Sequence, residues 1–216
     1  MVEMADTLPS VRSLELADNL IGSLPARAFQ CVPEVRTIDL SYNNISYIHP
    51  DAFLGLTQVD QLLLEGNNLN HLGSPEVGRI ILSREVSLLS LKDSNIQVLE
   101  PGFVEGLGDR SSLKLSRNPM LHFPEEVFGD VLRSLTVSDI PERTGIDFYY
   151  NFIECDCDFL WLAKDRWLIV HVYGGFCAPR SDDWKDWVGL YSVDADELEK
   201  NCSAINTPEP PGPLRF

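Results

Sequence analysis

Long apolar runs are missing from this chain. The most apolar stretch, Trp167 to Val172, is interrupted by His171 and falls far short of the roughly 20 residues needed to cross a bilayer as a helix. No membrane span is therefore expected in this chain. Positive charge is also scarce: 17 Lys and Arg stand against 33 Asp and Glu, a net charge of −16. Acidity of this size repels phosphate backbones and anionic lipid, so neither nucleic acid nor a membrane surface is expected as a partner of the whole protein. The first ten residues, MVEMADTLPS, have no basic stretch followed by an apolar one, so they do not read as a secretory signal. Catalytic groupings are lacking too. There is no G-x-S-x-G, H-E-x-x-H, phosphate-binding loop or G-x-G-x-x-G, and so no catalytic residue and no cofactor is expected.

What is present is a repeat. Asn19, Asn43 and Asn67 are each 24 residues apart. Each is preceded by aliphatic residues three, five and eight positions earlier and followed by one at two and five. The sets run Val11, Leu14, Leu16, Ile21, Leu24, then Val35, Ile38, Leu40, Ile45, Ile48, then Val59, Leu62, Leu64, Leu69, Leu72. A fourth set, Val86, Leu89, Leu91, Ile96, Leu99, carries Ser94 in place of Asn. A fifth, Leu113, Leu115, Met120, Phe123 around Asn118, opens on Arg110. Phe29, Phe53, Phe103 and Phe128 recur nine or ten residues past the Asn position. The apolar spacing is 3-2-3-2-3 and not a run at 3.6, which excludes an array of amphipathic helices. Each unit predicts one short strand with alternate residues facing inward. The Asn side chain would then satisfy backbone groups inside the following turn. One unit cannot bury its apolar face alone, so the units stack.

This is the L-x-x-L-x-L-x-x-N pattern, and over about residues 8–202 the chain resembles the leucine-rich repeat family. The fold class expected is α/β: a leucine-rich repeat solenoid with a parallel β-sheet on its concave face and an irregular or short-helical convex side. Residues 1–150 are read as about five or six repeats, the first truncated, because Leu8 falls where Leu56 does in a later unit. On that reading the chain begins part-way through a repeat. The 27 residues from Asn67 to Ser94 place about three extra residues within 73–85, bulging on the convex or loop side. Leu132, Leu135 and Val137 read as a further strand of a shortened repeat. Arg143, Ile146, Phe148 and Asn151 read as the strand leading into a cap.

Five cysteines are present, the last four spaced C-x-C-x19-C-x24-C. Zinc and disulfides are both open to four cysteines, but C-x-C is tighter than the usual zinc knuckle. The surrounding Asn151 to Leu162 segment, with its Cys155-Asp156-Cys157, Trp161-Leu162 and Cys177-Ala178-Pro179, resembles the cysteine-rich C-terminal cap of extracellular leucine-rich repeat proteins. That resemblance implies disulfides Cys155–Cys177 and Cys157–Cys202, a cap over 151–203, and a proline-rich tail at 204–216. Phe159 to Val172 is read as amphipathic, with Phe159, Leu162 and Trp167 facing the core. Cys31 is left over and reads as a buried free thiol on the convex arc. Thr144 to Asn151, Cys155 to Leu162 and Gly174 to Cys177 also resemble arthropod proteins similar to the non-catalytic repeat subunit of shrimp luciferin monooxygenase.

Disulfides imply an oxidising compartment, so a secreted or extracellular place is expected. The sequons at Asn44-Ile45-Ser46 and Asn201-Cys202-Ser203 agree, making Asn44 and Asn201 candidate glycosylation sites. His49, His71 and His122 fall at nearly matching places in their turns; solvent-facing loop residues are the simpler reading than a metal ladder. Ser181-Asp182-Asp183 and Asp194 to Glu197 lack the ligand spacing of a calcium loop. No metal site is expected. With no chemistry to assign, the expected function is binding of a protein ligand or receptor on the concave face. The alternative is a non-catalytic subunit of a secreted enzyme complex. The outward column between the strand leucines reads Glu15, Asp39, Leu63, Ser90, Lys114 and passes from acidic through apolar to basic. Tyr42, Leu63 and Leu88, with Asp39 and Lys114 as a charged rim, are the candidate partner-binding residues.

Overall fold

A computed structural model describes residues 7–8, 10–135, 144–177 and 187–205. Val137, Arg143, Pro179, Ser181 to Asp183 and residues 206–216 of the proline-rich tail lie outside the described residues. In chain order the strands of the repeats are β1 (Ser13–Glu15), β2 (Ser23–Leu24), β3 (Thr37–Asp39), β4 (Tyr47–Ile48), β5 (Gln61–Leu63), β6 (His71–Leu72), β7 (Ile80–Ile81), β8 (Leu88–Ser90), β9 (Val98–Leu99), β10 (Val104–Glu105) and β11 (Ser112–Lys114). Then come helix α1 (Glu125–Leu135), β12 (Gly145–Asp147), β13 (Phe152–Ile153), helices α2 (Leu160–Lys164) and α3 (Arg166–Ile169), β14 (Val172–Tyr173), β15 (Phe176–Cys177), β16 (Val188–Gly189) and α4 (Ala195–Ile205).

Seven of these form one parallel sheet in the order β1-β3-β5-β8-β11-β12-β14. Its register is set by the repeat: Leu14, Ile38, Leu62, Leu89, Leu113, Ile146 and Val172 stand side by side. This column faces the core, and from Ile38 to Ile146 it is fully buried. A one-residue slip would turn every one of these side chains to the other face, so the alternation itself specifies the pairing. The sheet runs on into the cap, because β14 is its last strand.

The asparagines do what their spacing predicts. The Asn67 amide donates to Leu64 O at 2.9 Å in its own turn and to Leu40 O at 3.0 Å in the turn before. Its carbonyl accepts from Ile45 N at 2.9 Å. Asn43 repeats the arrangement, and Asn118 and Asn151 carry it into the later turns. Ser94 replaces the amide with a hydroxyl that reaches Leu64 O at 2.9 Å and Lys92 O at 3.2 Å. Asn19, which is exposed, bonds only to carbonyls of its own turn.

On the convex side Phe29 stacks on Phe53 with ring centroids 5.6 Å apart. The three extra residues of the 27-residue repeat lead through Gly78 into β7, which pairs with β10 away from the main sheet, as expected of a convex insertion. Expectations about two helical segments are corrected. Leu132 and Leu135 lie on α1, not on a strand: they continue a buried stripe from Phe128, at the i, i+4, i+7 spacing of a helix face. Glu125 and Glu126 at its start suit the positive end of the helix dipole. Trp167 is 61% exposed. The amphipathic segment is broken at Asp165, which ends α2 and caps α3 by accepting from Trp167 N and Leu168 N. The break rotates the buried face onto Leu168 and Ile169, while Phe159 and Leu162 are buried as expected.

The cap closes the solenoid through aromatic packing. Phe123 stacks on Phe128 and meets Phe148 and Phe159 edge-on. Trp161 lies over Phe123 and donates from Nε1 to Phe123 O at 3.0 Å. Disulfides join Cys155 to Cys177 and Cys157 to Cys202. Cys31 is free and half-buried rather than buried. Asp194 Oδ1 accepts from Asp196 N and Glu197 N, capping α4. His171 is fully buried, with Nδ1 3.0 Å from Trp167 O.

Candidate ligand face

The side chains flanking the buried column point to the concave side. One outward column is Ser13, Thr37, Gln61, Leu88, Ser112 and Gly145. The other is Glu15, Asp39, Leu63, Ser90, Lys114, Asp147 and Tyr173. Leu63 and Leu88 sit on adjoining strands, one column apart, and both are half-buried. Asp39 is held locally, its Oδ1 accepting from Ser41 N at 2.9 Å. Lys114 faces Asp147, Nζ to Oδ2 being 3.7 Å. Glu65 accepts from the buried Ser90 hydroxyl at 2.7 Å. The acidic-to-basic gradient along the first five strands thus ends in an ion pair with a sixth.

Just past each strand the chain turns through one left-handed residue. These are Asp18, Tyr42, Gly66, Asp93, Arg117 and Tyr150, with φ between 53° and 66°. Such a conformation costs a residue with a Cβ about 1–2 kcal/mol, and the asparagine that follows offsets it by tying down the turn. The conformation belongs to the repeat, but its occupant sets the rim of the face. Tyr42, 53% exposed, lies over Gly66, where an added Cβ would come within 2.5 Å of the Tyr42 ring. Tyr42 therefore sits on the rim, beyond the strands that carry Leu63 and Leu88. Tyr149 covers Gly174 in the same way.

The far end of the face is richer. Tyr149 and Tyr150 are both more than half exposed, and the Arg117 guanidinium lies 5.4 Å from the centroid of the Tyr150 ring. Arg117, Pro119, Leu121, Tyr150 and Phe152 line a groove of about 490 Å³ beside them. Asp147, Tyr149, Tyr150 and Tyr173 were not picked out by the repeat spacing, because 33 residues separate Asn118 from Asn151. Carrying the outward columns onto the strand read at Asn151 gives Asp147, with Tyr149 and Tyr150 just past it; Tyr173 lies on β14, which no asparagine of the ladder marks. Asn44 and Asn201 are exposed. His49 accepts from Asp51 N at 3.0 Å, His71 lies on β6, outside the seven-stranded sheet, and His122 lies at the junction of the last repeat and the cap, 3.4 Å from Asp156.

Residues 9–69 match the family described as Leucine rich repeat. The fold is a leucine-rich repeat solenoid with a disulfide cap. No curated protein matches the chain, so the resemblance of the cap to luciferin monooxygenase subunits gains no support. Among solved structures, the chain is similar to TLR13, crystallised in a complex with ssRNA13, with 24% identity and a TM-score of 0.48 over 65% of this chain and 18% of that one. It therefore spans about a fifth of that protein's length. It is also similar to human 5T4 (Wnt-activated inhibitory factor 1, trophoblast glycoprotein), with 18% identity and a TM-score of 0.38 over 87% of each chain. No described helix of this chain is long and apolar enough to cross a membrane.

Proposed function

We propose that this chain is an extracellular protein-binding module that holds a protein ligand or receptor on its concave sheet. Stacked repeats build extended concave surfaces of this kind, and folds of this class generally serve binding rather than catalysis. The observation that carries the reading is the make-up of the open face. Its flat strands offer Leu63 and Leu88 between Asp39 and Lys114, and its rim offers Tyr42, Arg117, Tyr149 and Tyr150. Tyr and Arg are the residues that anchor protein interfaces, since they present large area with a polar tip. The cap's two disulfides and the exposed acceptors Asn44 and Asn201 support a secreted or cell-surface place.

The test is to secrete the chain from cultured animal cells, check Asn44 and Asn201 by glycosidase shift, and screen it against a displayed library of extracellular proteins. For a captured ligand, Tyr150→Ala and Arg117→Ala are expected to weaken binding about tenfold or more, and Tyr42→Ala with Leu63→Ser to weaken it further. A convex-side change, Gln97→Ala, is expected to leave affinity unchanged. Ligands whose affinity ignores all four concave substitutions would remove the reading.

A further inference from the structure

We propose that His122, Asp156 and Asp158 form a binding site for a divalent cation of the zinc class, placed where the last repeat meets the cap. One donor atom from each residue, an imidazole nitrogen and two carboxylate oxygens, lies within 4.8 Å of the other two. His122 Nδ1 and Asp156 Oδ2 are 3.4 Å apart. That is an ion-pair distance, yet no hydrogen bond of normal geometry joins them. It is also the spacing of two donors on one zinc ion, whose bonds of about 2.0–2.2 Å set the edge of a tetrahedron at about 3.3–3.6 Å; the Asp158 oxygen lies within 4.8 Å of both.

The surroundings hold the donors in place. Asp156 lies between Cys155 and Cys157, each bound in its own disulfide. Its other oxygen, Oδ1, accepts from Asp158 N at 3.0 Å, which leaves Oδ2 for the imidazole side. Glu154 N donates to Leu121 O at 2.7 Å, pinning the segment before Asp156 to the segment that carries His122. The donor set selects the ion. Calcium and magnesium favour all-oxygen sites, whereas an imidazole with two carboxylates suits zinc and its neighbours. Three protein donors leave a coordination position open, and His122 and Asp158 are exposed, so water completes the shell. The excess of negative charge over the whole chain, −16, raises the local cation concentration. A bound ion would cross-link the last repeat to the cap.

The experiment uses the full, disulfide-intact chain without a histidine tag, stripped with chelator and titrated with zinc chloride by calorimetry. One equivalent is expected to bind, with a rise in Tm. His122→Ala and Asp158→Asn are each expected to weaken zinc at least tenfold and to abolish the Tm rise, with unchanged circular dichroism in the metal-free state. Cobalt(II) is expected to give ligand-field absorption that His122→Ala removes. Cys31→Ser is expected to keep the binding, which excludes the free thiol as the donor. Should one variant fold poorly, the other and the cobalt spectrum still decide. The proposal is overturned if zinc gives no saturable heat, if zinc affinity is unchanged in His122→Ala, or if calcium binds as tightly as zinc in a manner indifferent to His122.

Discussion

At the scale of single residues, the asparagines carry most of what the sequence specifies. A side-chain amide has two N–H donors and one acceptor, and Asn67 uses all of them to join two turns. Asn67→Ala strands Ile45 N in the core and takes one donor each from Leu40 O and Leu64 O, which keep Asn43 and Ser94, so it should cost about 1–3 kcal/mol. Asn19→Ala, at an exposed site bonded only within its own turn, should cost under about 1 kcal/mol. Urea denaturation of the two variants checks the contrast; equal midpoints would show that reaching across turns contributes nothing. These positions were legible because one residue type recurs for one reason. The rim was not. Tyr42, Arg117 and Tyr150 share a left-handed backbone, but nothing in their chemistry asks for it. The conformation is imposed by the turn and becomes visible only once each is seen to precede a ladder residue.

At the scale of elements, reading by spacing succeeds for strands and fails where two periods coincide. Leu132 and Leu135 are three apart, which fits both a repeat strand and a helix turn; Phe128 and the two glutamates at 125 and 126 decide for the helix. The cap helices were misjudged at Trp167 because a single continuous helix was assumed, whereas Asp165 competes for the backbone and splits it. The cysteine spacing alone left zinc and disulfides open, and the four sulfurs are paired in the fold. Removing a disulfide should cost about 2–4 kcal/mol. Loop entropy adds a ranking. Cys157–Cys202 closes a separation of 45 residues against 22 for Cys155–Cys177, which makes its loss the greater by about 0.6 kcal/mol. Paired Cys→Ser variants compared by chemical denaturation, with hydrogen exchange of α4 as the local readout, test this. A larger loss from the Cys155–Cys177 pair would show that enthalpy at the cap outweighs chain entropy.

At the scale of the whole molecule, stability should be graded along the solenoid. Leu14, Leu16 and Ile21 are only partly buried, while their counterparts Ile38, Leu40 and Ile45 are fully buried. In a stack where each unit contacts only its neighbours, poorly covered units open first. Amide exchange is expected to be fastest in β1, slower in β3, and slowest from β5 to β12. Uniform exchange across the sheet would mean that the stack unfolds as one cooperative unit. The architecture was open to sequence reading because a solenoid is one local pattern repeated. The ligand face was followed only through its first five strands, because the sixth, legible at Asn151, was read as the way into the cap, and β14 carries no ladder asparagine.

The hydroxyl at Ser94 bears on how the solenoid responds to load. A serine has one hydrogen to give, and Ser94 has both Leu64 O and Lys92 O within reach of it. Asn118 adds support from beyond by accepting from both Ser94 N and Ile96 N at 3.0 Å, but that ties the fourth turn to the fifth, not to the third. The boundary between the third and fourth turns is held by other bonds: Leu69 N donates to Ser94 O at 2.9 Å, Ser90 Oγ to Glu65 at 2.7 Å, Asn95 Nδ2 to Asn68 Oδ1 at 2.8 Å and Gln97 N to Asn70 Oδ1 at 3.2 Å. A ligand gripping both ends of the concave face would therefore load a stack whose ties between turns are not interrupted at the serine, so the third and fourth turns would move together.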